Sequence, residues 1–172
     1  SGPRRHYTGT RVCHLVTSAA STETAPQVQF MKFQKNDGGR LKAGWKGKNA
    51  GDCVARAIAI ALKIPYREVR AELDALNKEM TGGFETTTNH GTTAAIYHRY
   101  LSDHGWVPIL TKGAYLKDIP TRGIHIAVMT GHIAAVVDGT LHDAWDSRKC
   151  RRTRCGSPTL RGYYTQAPQD VL

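Results

Sequence analysis

Asn49-Ala50-Gly51-Asp52-Cys53-Val54-Ala55-Arg56-Ala57-Ile58-Ala59-Ile60-Ala61-Leu62 is the stretch from which the fold is read. A polar, glycine-containing turn delivers Cys53 to the first turn of a helix that is apolar on nearly every side. From Val54 to Leu62 only Arg56 is charged, so this helix is expected to be buried on most faces. A cysteine at a helix N-terminus lies where unpaired amide N–H groups and the macrodipole stabilise a thiolate. The same amides can hold a developing oxyanion. The competing reading is a cysteine that only fills space, because free cysteine is among the most buried residue types.

Downstream, Pro65 disfavours helical geometry at Ile64 and ends the cysteine helix near Lys63. A second helix opens at Pro65, with Tyr66, Val69, Leu73, Leu76 and Met80 forming one apolar stripe at gaps of three and four. Arg67, Glu68, Arg70, Glu72 and Lys78 are assigned to its wet face. Residues 81–91 read as a polar loop. A third helix is expected from about Thr92 to Asp103, with Ile96, Tyr97, Tyr100 and Leu101 inward and Gly105 as its cap. After it the pattern changes to strands at Trp106–Leu110, Gly123–Met129, His132–Val137 and Leu141–Trp145. Helices followed by an antiparallel sheet give an α+β class.

Asp138-Gly139 between two of those strands is a strong two-residue hairpin signal. With that turn, Val137 pairs with Thr140, and His132, Ala134 and Val136 share a face with Leu141, Asp143 and Trp145. Asp143 becomes the diagonal neighbour of His132, close enough to orient an imidazole. Asp146 is expected on the other face and is the alternative third member if a bulge turns it. A nucleophilic cysteine needs a base to deprotonate it and a third group to fix that base. Cys53, His132 and Asp143 supply the three in the order helix, strand, next strand.

A Gly-Asp-Cys at the head of a buried helix, a Gly-His opening a strand and a polar residue on the next strand resemble the papain-like cysteine peptidases. The likeness is to compact members: bacteriocin-leader peptidases, cell-wall endopeptidases, and small phage- and bacteria-encoded domains. It spans residues 31–146. It implies a papain-like α+β fold and a thiol hydrolase acting on a peptide or isopeptide bond through a thioester. Cys53 would be the nucleophile, His132 the base and Asp143 the orienting group. The family's oxyanion helper maps to Asn49, which lies nearer to the cysteine than the family's glutamine does. No cofactor or metal is implied, and the partner is a protein or peptide substrate.

The flanks fall outside the likeness. Residues 1–30 read as an N-terminal extension, with one short strand at Arg11–Val16, while residues 31–51, inside the likeness, read as loop. Residues 147–172 read as a basic tail, and positions 147–162 alone carry a charge of +6 out of the total of +10. Arg148, Lys149, Arg151, Arg152 and Arg154 are the candidates for contact with nucleic acid or another polyanion. A catalytically idle domain of the same fold, serving as a basic module in a nucleic-acid-containing or viral assembly, is the second reading. His125 and His142 read as structural, and His90 and His104 as surface. Cys150 and Cys155, with Cys13 and His14, make a poor metal motif. Four scattered cysteines imply a reducing compartment, the cytoplasm by default, with organellar or virion association left open. No apolar run reaches membrane-spanning length, so no membrane is expected.

Overall fold

The computed structural model describes residues 31–46, 51–83, 91–149 and 158–167. The N-terminal extension, Asn49, His90, Cys13, Cys150, Cys155, Arg151, Arg152 and Arg154 lie outside them. The described chain is α+β: three helices lie on one face of a six-stranded mixed sheet. In chain order the elements are β1 (Lys32–Lys35), α1 (Cys53–Leu62), α2 (Tyr66–Thr81) and α3 (Ala94–Asp103). Then come β2 (Trp106–Leu110), β3 (Ile124–Met129), β4 (His132–Val137), β5 (Thr140–Asp143) and β6 (Leu160–Gln166).

Helix α1 takes its position from its alanines. Ala55, Ala57, Ala59 and Ala61 are buried and small, so the helix packs closely on β4 and β3 while Ile58 fills the space below. Lys63 closes it in the left-handed region at φ 58°, and Pro65 starts α2 immediately afterwards. In α2 the stripe holds for Tyr66, Val69 and Leu73, all buried, with Leu76 partly covered. It fails at Met80, which is 42% exposed, and Asn77 takes the buried place instead. Arg70 was assigned to the wet face but is half-buried, its guanidinium 5.0 Å from the Trp45 ring.

The β4–β5 hairpin turns at Asp138 and Gly139, whose φ angles of 46° and 72° define a type I′ turn. Val137 pairs with Thr140, Val136 with Leu141 and Ala135 with His142. Ala134, Val136 and Leu141 then face a second core layer with Leu116 and Ile119, away from the helices.

Three expectations are corrected. The sheet is mixed, because β1 runs parallel to β5, with Phe33 beside Leu141. The segment expected to be loop therefore supplies an edge strand. The basic region from residue 147 is not a tail throughout, because β6 lies inside the sheet between β3 and β2. The domain thus extends past residue 146. Only Lys149 of the described candidate polyanion residues is well exposed, with an 80% accessible side chain.

Arg148 is committed to the fold. Its guanidinium grips both oxygens of Asp146 at 2.7 and 2.8 Å, donates to the Met31 carbonyl at 2.7 Å, and covers the Phe33 ring. This clamp fastens β1 to the turn after β5. Arg148→Met is expected to lower stability by about 1–2 kcal/mol, since charged hydrogen bonds are lost and Asp146 loses its partner. Urea unfolding checks it, and an unchanged midpoint would mean the clamp is only a solvated surface pair.

Candidate active site

Strands β4 and β5 part company at one end of the sheet, and the site lies in the opening. The β4–β5 pairing stops at Ala135 and His142, and Asp143 pairs with Lys35 of β1 instead. The N-terminus of α1 meets this gap. The Ile133 N–H, next to the start of β4, donates a hydrogen bond to the Cys53 sulfur. One residue earlier, His132 turns its ring to the same sulfur and also to Asp143.

Geometry assigns the two ring nitrogens. Nε2–H of His132 donates to Asp143 Oδ2 at 2.5 Å, so Nδ1 is the nitrogen left to meet Cys53. Asp143 is 4% exposed, and its other oxygen accepts the Ala144 N–H at 2.7 Å. The Trp145 ring lies 5.2 Å from the imidazole and remains 46% exposed, walling one side of the His–Asp contact.

The electrostatics favour an ion pair. Burial pushes the Cys53 thiol up, but the hydrogen bond and charge of His132, the Ile133 amide and Arg56 together bring it below its ordinary value. Burial pulls His132 down, and the hydrogen bonds and charges of Asp143 and Cys53 overcome that, raising it to about 9. Both shifts favour the thiolate–imidazolium form over the neutral pair. The macrodipole of α1 adds to the preference for thiolate. Asp52 makes no capping hydrogen bond to α1, so its carboxylate does not occupy the first-turn amides.

Sequence reading missed the support beneath the site. Asp52 is 1% exposed and is held by Arg40 at 2.7 Å, by Arg56 at 3.1 Å and by the Tyr66 hydroxyl at 2.6 Å. Arg56 also reaches Asp143 at 3.7 Å. One arginine therefore ties the residue before the cysteine to the carboxylate behind the histidine. Only its isolation in an otherwise apolar helix hinted at a role.

Of the sequence candidates, the structure brings together Cys53, His132 and Asp143. Asp146 is elsewhere, paired with Arg148 and Lys149, and the hydrogen bond from Arg148 holds its carboxyl below the usual range. Asn49 lies outside the described residues. His125 is buried and bonds the Arg122 carbonyl at 2.8 Å, while His142 meets the Asn36 amide at 3.2 Å. His104 contacts the Tyr100 carbonyl at 2.8 Å at the end of α3. Among the described residues no helix is long and apolar enough to cross a membrane. No family model matches the chain, and neither a curated protein nor a solved structure does.

Proposed function

We propose that the chain is a cysteine peptidase-like thiol hydrolase acting on a peptide or isopeptide bond, with a papain-like arrangement of its site. The observation that carries the reading is the convergence of Cys53, His132 and Asp143 at the head of a buried helix, with His132 Nε2 2.5 Å from Asp143 and its ring beside the Cys53 thiol. In the reaction the Cys53 thiolate attacks the substrate carbonyl carbon and forms a C–S bond, and the carbonyl electrons move to oxygen. First-turn amides of α1 are placed to receive that charge. As the tetrahedral species collapses, the C–N bond breaks and His132 Nδ1 gives its proton to the departing amine. A water, deprotonated by the now neutral imidazole, attacks the thioester; the C–S bond breaks, releasing the acid and restoring the Cys53 thiolate beside the protonated ring. Asp143 holds the ring and favours its protonated form throughout.

The test is cleavage of a denatured-protein peptide library, with new N-termini read by mass spectrometry. Cleavages that disappear in Cys53→Ala are the expected result. The same cleavages with and without the sulfur would overturn the proposal.

A further inference from the structure

Arg56 is the one charged residue of α1, and its side chain is only 11% exposed. A cation so placed needs an anion beside it, because burial strips most of its water. Asp52 does not fill that need alone. The same carboxylate already has Arg40 at 2.7 Å and the Tyr66 hydroxyl at 2.6 Å. Two cations on one buried anion leave a positive surplus at the head of α1. The anion that balances it is Asp143, 3.7 Å from the Arg56 guanidinium.

The guanidinium meets Asp143 on the side that His132 does not use. His132 Nε2 donates to Oδ2, while Oδ1 accepts the Ala144 N–H and faces Arg56. Cys53 lies three residues before Arg56, so the two side chains are neighbours on one helix face. Burial works against a Cys53 thiolate, and His132, the Ile133 amide and the Arg56 cation together overcome it. The guanidinium also has a fixed base. A Cβ on Gly38 would lie 2.8 Å from the Arg56 carbonyl oxygen, so the loop after β1 rests hard against this turn.

The other groups packed around the site do not supply this charge. Tyr97 of α3 and Tyr66 of α2 are pushed above their ordinary values, chiefly by burial, and stay neutral where the thiol titrates. Lys35 of β1 lies beside Asp143 in register, but its side chain makes no ion pair with it. Arg40 reaches Asp52 and not Asp143. Among the described residues Arg56 is therefore the one arginine or lysine within ion-pair distance of the carboxylate behind His132.

We propose that Arg56 is a fixed counter-cation of the site: shared between Asp52 and Asp143, it stabilises the Cys53 thiolate by charge and extends the working range toward acid. It does this without touching the substrate. The inference rests on the thiol-hydrolase reading of Cys53 and names the residue that sets the pH range of that site.

Substitutions at Arg56 and Arg40 test it. Cys53 is followed by the pH dependence of its alkylation with iodoacetamide, read on its own peptide by mass spectrometry, and His132 by NMR of labelled imidazole. Arg56→Met should move the Cys53 profile about one pH unit or more to the alkaline side. Below the midpoint that is about a tenfold slower alkylation. His132 should hold its midpoint or rise, because Asp143 keeps the Ala144 N–H and loses a competing cation. Arg56→Gln removes the charge but keeps a hydrogen bond for Asp52, and gives the same reading if the Met chain does not fold. Arg56→Lys restores the charge and should recover most of the shift. Arg40→Met removes the other guanidinium on Asp52, at comparable burial, and should leave the Cys53 profile close to wild type. A site that is merely loosened would instead let Cys53 rise while His132 falls, and would respond to Arg40→Met as much as to Arg56→Met. Either result would overturn the proposal, as would an Arg56→Lys chain displaced as far as Arg56→Met. An unchanged profile in Arg56→Met and Arg56→Gln would overturn it and leave the nucleophile standing. A wild-type Cys53 that titrates as an ordinary thiol would overturn both.

Discussion

Asp143→Asn is expected to lower hydrolysis by about two orders of magnitude or more while the fold stays intact. The carboxylate accepts the Nε2–H of His132, and its charge helps raise that ring to about 9. An amide can present its N–H rather than its oxygen to Nε2, which would select the wrong tautomer. Even correctly oriented, it brings no charge, so the protonated ring and the thiolate beside it are less favoured. Asp146→Asn is the matched control. Its carboxylate faces Arg148 and Lys149 rather than His132, so activity should change by only about a few-fold. Steady-state kinetics on both variants checks this, with circular dichroism to confirm folding. A tolerated Asp143→Asn would reduce the site to Cys53 and His132 or remove its catalytic meaning.

Asp52→Ala is expected to cost about 3–5 kcal/mol, because it strands two nearly buried guanidinium groups without their shared anion. Arg40 and Arg56 are 12% and 11% exposed, so water can replace little of what the carboxylate provides. The Tyr66 hydroxyl also loses its acceptor at the junction of α1 and α2. Thermal unfolding should shift down by roughly 10 °C for a chain of this size. A loss below about 1 kcal/mol would show that the network is solvated and does not fix the head of α1.

The parts of this fold that were legible in the sequence are those specified locally. Asp138-Gly139 encodes the type I′ turn, and the turn fixes the register from Val137–Thr140 to Ala135–His142, beyond which His132 and Asp143 meet where the strands part. The apolar run of α1 and the stripe of α2 through Leu73 likewise follow from spacing alone. The edge strand β1 was not legible because Lys-Phe-Gln-Lys has one apolar residue and its partner lies more than a hundred positions away. Strand β6 was hidden by its own bulge, since Arg161 and Gly162 interrupt the alternation in a basic segment. The Asp52–Arg56–Asp143 series was invisible for a different reason. Charge pairing across α1 and β5 depends on how the helix docks, which no local pattern encodes.

The pH dependence of Cys53 alkylation tests the central claim most directly. Iodoacetamide reacts with thiolate, so its rate follows the fraction of Cys53 that is ionised. The pairing with His132 predicts that Cys53 is the fastest of the four cysteines, with a rate profile displaced to the acid side of an ordinary thiol's. Its rate should fall at a lower pH than the value of about 8.5 at which an ordinary thiol titrates. Replacing His132 by Ala should move that curve to the alkaline side. A Cys53 that reacts only as an ordinary or buried thiol, with a profile unchanged by His132→Ala, would contradict the account.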